Sequence, residues 1–174
     1  CSGGAKVMWD DKMLYLYVRV RDDQVTFGGE ATAEWDQADS VEFWVDSVRV
    51  GLHLSPDGKE VAVNSGGKPF ADARVTKRLV KDDKLPGYEL EVAVPLRHFP
   101  VLENPAAGVR FSFALGLNDA DPVPGAPVVR DRQSYSPSSW TPAAPSTFAV
   151  AVLTDDKGKA PLWTRENDRS ASTD

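Results

Sequence analysis

The sequence predicts an all-β protein, an antiparallel β-sandwich of the jelly-roll or immunoglobulin-like kind with roughly nine or ten strands. Apolar and polar residues alternate with a period of two in a series of short segments. Gly, Pro and Asp separate these segments, as is typical of turns between strands. No segment carries the apolar stripe of an amphipathic helix. Together these observations favour a sandwich over a parallel α/β sheet.

The alternating segments predict the strands one by one. In chain order they are residues 14–21, 41–46, 52–54, 60–63, 73–79, 88–94, 111–117 and 148–152. Trp9 is expected to open a strand, residues 55–58 read as a tight turn, and residues 95–99 predict one short helical turn. Residues 1–156 are therefore expected to form a single domain.

The long segment 120–147 is rich in proline and has almost no apolar periodicity, so it predicts a loop. Long loops on rigid scaffolds often carry function. Residues 157–174 are polar and predict a C-terminal tail.

The chain has 174 residues and a net charge of −6, with a pI of about 5.0. This balance argues against nucleic acid as a partner, because phosphate binding needs clustered Lys and Arg. The nearest approach to a basic cluster is the group Arg74, Lys77, Arg78 and Lys81, interpreted as a solvated strand face. No apolar stretch is long enough to predict a transmembrane segment.

The single cysteine is Cys1, so neither an internal disulfide nor a thiolate metal site is predicted. Cys1 and the three residues after it resemble the processed start of a bacterial lipoprotein, which would be lipid-anchored through Cys1. The other interpretation is an ordinary cysteine exposed at a fragment boundary.

Several motifs occur in an order that is informative as a set. They lie in residues 7–18, 35–46, 87–96, 117–121, 139–140 and 145–148. In this order they resemble the family 9 carbohydrate-binding module over roughly residues 5–153. The resemblance implies a sandwich that binds an oligosaccharide or polysaccharide without catalysis, in a secreted, cell-surface or periplasmic protein. The family also has a strand before its Trp-Asp-Asp motif, and that strand is expected to be missing here.

Trp35 and Trp140 are the first candidate ligand-binding residues. Both lie in turn-rich, polar stretches, where a site tryptophan is more at home than a core tryptophan. Two facing indoles could clamp a sugar by stacking on the apolar faces of its ring. The alternative is that each indole plugs one end of the sandwich. Trp44, inside an alternating segment, is expected to pack.

Glu42 is the second candidate, because the resemblance implies that the acidic residue of the Asp-Ser-Val-Glu stretch accepts hydrogen bonds from sugar hydroxyls. Its alternative is a solvated strand face. Other polar positions of the family differ here. Gly116 stands where a Gln is usual, and His53 lies near the place of a usual Arg, for which Arg49 is the other possibility. Arg132 is a further supporting candidate. Either the ligand differs or sugar binding has been lost.

Calcium is the predicted cofactor, in a structural role that the resemblance also implies. Asn118, Asp119 and Asp121 offer hard oxygen donors near a strand end, and calcium takes six to eight such oxygens. The alternative is that these residues only shape turns.

The sequence also bears on three other function classes. An enzyme is not expected, because neither His53 nor His98 stands near a nucleophile pattern. An interaction module of a larger envelope or secreted assembly, with other domains or subunits as partners, stays open. So does a haem b domain of a periplasmic dehydrogenase subunit, with Met8, Met13 and the histidines as available ligands.

Overall fold

The computed structural model describes residues 1–26, 38–55, 61–65, 68–81, 86–121, 129–135 and 148–160. Within these residues the regular structure consists of eleven strands and two short 3-10 turns. The strands are β1 (Ser2–Trp9), β2 (Met13–Arg21), β3 (Ser40–Val45), β4 (Val48–Leu54), β5 (Val61–Ser65), β6 (Lys68–Pro69), β7 (Arg74–Val80), β8 (Gly87–Pro95), β9 (Arg110–Asp121), β10 (Val129–Tyr135) and β11 (Ala149–Val152). The 3-10 turns span Leu96–His98 and Pro100–Leu102, and the first is the predicted helical turn.

The strands form two antiparallel sheets. Sheet A has four strands in the order β1-β2-β8-β7. Sheet B has seven strands in the order β10-β9-β3-β4-β5-β6, with β11 also paired to β9. The predicted all-β sandwich is confirmed.

The core lies between the two sheets and explains the alternating pattern. Each strand turns every second side chain inward, and apolar side chains from both sheets form one continuous buried cluster. Phe43 of sheet B is central to it, with its ring centroid 6.3 Å from that of Phe99 and 6.4 Å from that of Phe113. The side chains on the outward faces are consequently not part of this core.

Three sequence expectations about strands are wrong. The strand expected to be missing is present as β1, and Trp9 ends it rather than opening a strand. β1 escaped prediction because this edge strand is exposed along most of its length and has no apolar alternation. β10 lies within the predicted loop 120–147, and its polar sequence likewise lacks an alternating pattern.

The end of β1 is fixed to the last part of the described chain. The indole nitrogen of Trp9 donates a hydrogen bond to the Thr154 carbonyl, at 2.9 Å. No helix in the described part of the chain is both long and apolar enough to cross a membrane. Of the predicted tail, residues 161–174 lie outside the described residues.

Candidate functional site

A block of polar side chains occupies the face of sheet B that points away from the core. Ser40 of β3 is paired with both Asn118 of β9 and His53 of β4. Four residues further along β3, Trp44 is paired with Arg49. Directly opposed residues of antiparallel strands share a face, and Ser40, Glu42 and Trp44 share one by their spacing of two. We call the group Ser40, Glu42, Trp44, Arg49, His53 and Asn118 the polar face of sheet B.

Glu42 is the most deeply buried charged residue of this face. Its exposed fraction is 0%, although its side chain points away from the core. A buried carboxylate needs a charged or hydrogen-bonded partner, and Glu42 forms an ion pair with Arg49. The Arg49 side chain is 36% exposed. The pair therefore connects a buried acceptor to the protein surface.

Trp44 forms one side of the polar face. The guanidinium carbon of Arg49 lies 5.8 Å from the Trp44 ring centroid, a cation–π distance. The Phe148 ring packs on the indole, with centroids 6.1 Å apart. The expectation that Trp44 packs is confirmed, since it is only 2% exposed. Trp44 therefore positions Arg49 over the sheet.

Gly116 lies beside these groups on β9, opposite Glu42. A Cβ atom built there would lie 3.5 Å from the Trp44 indole and 4.0 Å from the Glu42 carboxylate oxygen Oε2, which are ordinary contacts. Crowding therefore does not require glycine at this position. A side chain here would project next to Glu42, so the glycine leaves space beside the Glu42 carboxylate on this face.

His53 brings a neutral imidazole to the same face. Burial, and to a smaller extent the nearby positive charge of Arg49, lowers the pKa of the His53 imidazole to about 4. A neutral ring offers one N–H donor and one acceptor nitrogen. Beside it, the Asn118 amide donates to the Ser40 hydroxyl at 2.9 Å. The face thus combines donors and acceptors of the kind that sugar hydroxyls use.

Four of the six predicted ligand-binding residues belong to described strands, and the other two do not. Glu42, Arg49 and His53 come together on the polar face, and Arg132 of β10 is the Cα partner of Asn118. Trp35 and Trp140 lie outside the described residues. Ser40 was missed, although the alternation through Ser40, Glu42 and Trp44 could have indicated it.

A second group of polar residues lies near one end of the sandwich. Asp22, Asp119 and Asp121 each place a carboxylate oxygen within 4.8 Å of the others. Asp119 and Asp121 belong to the predicted metal site, but Asn118 is on the opposite face of β9, where it contacts Ser40. Neighbouring residues of a strand point to opposite faces, so the three predicted residues cannot all meet. Asp22, from the end of β2, takes the third place.

The acidic cluster has buried oxygens without partners. Asp22 Oδ2, Asp119 Oδ1 and Asp121 Oδ1 are buried and accept no hydrogen bond from the described residues. Asp119 Oδ2 lies 3.3 Å from the Cys1 backbone nitrogen. Such oxygens are hard donors, and a divalent cation would offset both their burial and their mutual repulsion. The residues present therefore fit calcium.

Asp39 borders this cluster and is strongly affected by it. Its carboxylate accepts hydrogen bonds from the backbone N–H groups of Thr26, at 2.6 Å, and Ala120, at 3.0 Å. Burial, followed by the hydrogen bond to Asp22, raises the pKa of Asp39 to about 8. Burial, together with the neighbouring Asp22, therefore favours the protonated form of Asp39 near neutral pH.

Comparison with known proteins agrees with the fold. A family model described as "carbohydrate family 9 binding domain-like" matches residues 1–156. Among solved structures, the chain is similar to a family 9 carbohydrate-binding module from Caldicellulosiruptor kristjanssonii, determined in complex with cellotriose. The two chains are 20% identical, with a TM-score of 0.63 and coverage of 93% of this chain and 80% of the other. No similar sequence was found among curated proteins.

Proposed function

Because this chain belongs to the carbohydrate family 9 binding domain-like family, we propose that it is a non-catalytic module that binds a glycan on the polar face of sheet B. Its work is recognition, in a secreted or cell-surface setting. Lipid attachment at Cys1 stays a prediction.

The buried Glu42–Arg49 pair beside Trp44 is the observation that supports this proposal most strongly. A sandwich gains little stability from an ion pair buried on an outward face, because desolvation offsets much of the attraction. The same pair is useful to a sugar, since a carboxylate accepts strong hydrogen bonds from hydroxyls while a guanidinium donates them. Glu42 is proposed as acceptor, Arg49 and Arg132 as donors, and His53 as either.

Trp35 and Trp140 are proposed to supply the stacking surface. The structural neighbour was solved with cellotriose, which makes short β-linked glucose oligomers the first ligands to test. Stacking and a few hydrogen bonds over a small contact area give weak binding, on the order of micromolar to millimolar.

The proposal is tested by titrating the full chain with cellotriose and a panel of neutral oligosaccharides, using calorimetry and tryptophan fluorescence. We expect saturable binding that Trp140→Ala and Trp35→Ala each weaken about tenfold or more, equal to about 1.4 kcal/mol. Trp9→Phe is the control, because Trp9 belongs to sheet A and its indole bonds to the Thr154 carbonyl, not to a residue of the polar face. Unchanged affinity in both alanine variants would remove the stacking role. No binding to any glycan would favour the interaction module instead.

We further propose that calcium binds at Asp22, Asp119 and Asp121 and stabilises the end of the sandwich. The supporting observation is the set of buried carboxylate oxygens without partners at this place. When bound, the cation would neutralise carboxylates from both sheets at once, since Asp22 follows β2 of sheet A and the other two belong to β9 of sheet B.

At a hundredfold excess over its Kd, calcium is expected to stabilise the chelator-treated protein by about 2.7 kcal/mol. The melting temperature should rise accordingly. Asp121→Asn should lose this response, yet be at least as stable as the parent chain without calcium, because one repulsive carboxylate is gone. Asp156→Asn, at an exposed position, serves as the control. Thermal unfolding with and without calcium measures all three, and an equal calcium response in Asp121→Asn would contradict the site.

A further inference from the structure

The outward face of sheet A is separate from both sites described above. Its positions follow from the register: Met8 opposes Tyr15, Lys6 opposes Tyr17, and Gly4 opposes Arg19. The same rows continue across β8 and β7 to Arg74, Thr76 and Arg78. We call this surface the outer face of sheet A.

This face is basic, although the chain as a whole is acidic. Its strands carry five cations, Lys6, Arg19, Arg21, Arg74 and Arg78, and two carboxylates, Glu89 and Glu91. A third carboxylate, that of Asp10, lies at its end against Tyr15. The whole chain has a net charge of −6. An anionic molecule approaching the protein would therefore be directed to this face.

Only some of these cations are neutralised within the protein. Glu89 accepts from Arg19 at 2.7 Å and from two nitrogens of Arg78 at 2.8 and 2.6 Å. Among the described residues, Lys6, Arg21 and Arg74 form no ion pair. The positive charge of this surface is therefore available to a ligand.

Two adjoining grooves cross the face. One, of about 580 Å³, runs over β1 and β2 and is lined by Gly4, Arg19 and Arg21. The other, of about 450 Å³, lies over Met8, Tyr15 and Arg74. Lys6 and Tyr17 line both grooves, so the two form one continuous track.

Aromatic rings lie between the cations along this track. Tyr15 is 39% exposed, and its hydroxyl donates to Asp10 Oδ2 at 2.7 Å, which fixes the ring position. Tyr17 stands two residues further along β2, about 7 Å away. Two tyrosine rings this close together can contact sugar rings of one glycan chain, while the flanking cations pair with charged substituents.

We propose that the outer face of sheet A binds an acidic polysaccharide, a glycan chain that carries carboxylate groups. Tyr15 and Tyr17 contact the sugar rings, and Lys6, Arg21 and Arg74 pair with the carboxylates. A neutral glycan would use the rings but not the cations. A bare polyanion would use the cations but not the rings.

The test is affinity electrophoresis and calorimetry of the full chain with polygalacturonate. We expect binding that weakens as salt is raised and falls about tenfold in the double variant Lys6→Ala/Arg74→Ala. The double variant Lys157→Ala/Lys159→Ala removes the same charge from exposed positions elsewhere, and should retain affinity within twofold. Tyr17→Ala should lose affinity, and Tyr17→Phe should retain it.

Equal losses in the two double variants would overturn the proposal, because they would show a diffuse charge effect. An affinity for duplex DNA or anionic phospholipid vesicles equal to that for polygalacturonate would overturn it too, because the face would then bind any polyanion and would not recognise the sugar. Absence of any binding to polygalacturonate would do the same. Glu42→Gln should leave polygalacturonate binding unchanged, so this site and the polar face of sheet B are tested independently.

Discussion

Glu42→Gln is expected to lower the affinity for a neutral oligosaccharide at least tenfold, or about 1.4 kcal/mol. The substitution keeps the shape of the side chain but replaces a charged acceptor by a neutral amide. Hydrogen bonds to charged groups are roughly twice as strong as neutral ones. It also frees Arg49 from its buried partner, so the guanidinium can turn toward solvent. Calorimetry with cellotriose measures the affinity.

The control for Glu42→Gln is Glu89→Gln. Glu89 is also buried, at 7% exposed, and pairs with two arginines, but on the opposite sheet. Glu42→Gln is expected to lose about 1–3 kcal/mol of stability, because it removes the carboxylate of a buried pair. Glu89→Gln is expected to lose less stability, because Arg78 is exposed and solvent screens its pair with Glu89. Only Glu42→Gln should lose affinity for the neutral glycan. If both variants lost it equally, the effect would be one of general stability and Glu42 would have no role in binding.

The sandwich could be predicted from the sequence because most strands carry the alternation that a two-layer core imposes. Leu14 to Val20 and Phe111 to Leu117 both show it in the sequence; the first segment is buried on one face, whereas the second is buried on both. β1 and β10 could not be predicted in this way. β1 pairs through its backbone at a sheet edge and buries few side chains, so no apolar pattern is needed there.

The candidate sites were partly predictable. Glu42, Arg49 and His53 meet because their strands are neighbours and the spacing of two keeps outward residues on one face. The acidic cluster needed more than sequence. Asp22 lies in a different sheet from Asp119, and only the packing of the two sheets brings these carboxylates together. The same alternation of faces removed Asn118 from the cluster.

The outer face of sheet A shows the same limit. Its cations come from β1, β2 and β7, and these three strands are not consecutive in the sequence. The cations therefore do not appear together as one basic segment. Arg74 and Arg78 alone fit a solvated strand. Antiparallel pairing adds Lys6, Arg19 and Arg21 to them and creates a charged surface that sequence order conceals.

Gly87→Ala is expected to destabilise the fold by about 3 kcal/mol or more. Gly87 begins β8 with φ of +136°, a backbone conformation that side chains rarely adopt. A Cβ atom there would lie 2.1 Å from the carbonyl oxygen of Val20 and 3.1 Å from the Cα of Arg21. These are backbone atoms of the paired strand β2, so they cannot move aside without breaking the ladder between β2 and β8.

Two other glycines separate the causes of this effect. Gly158 has φ of +71° but open space around its Cβ position, so Gly158→Ala should cost only the backbone strain, about 1 kcal/mol. Gly4 has open space and no positive φ, so Gly4→Ala should change stability by less than about 0.5 kcal/mol. Urea unfolding of the three variants gives the order directly. If Gly87→Ala lowered the free energy of unfolding no more than Gly158→Ala, β8 would not approach β2 as closely at this end of sheet A as the structure has it.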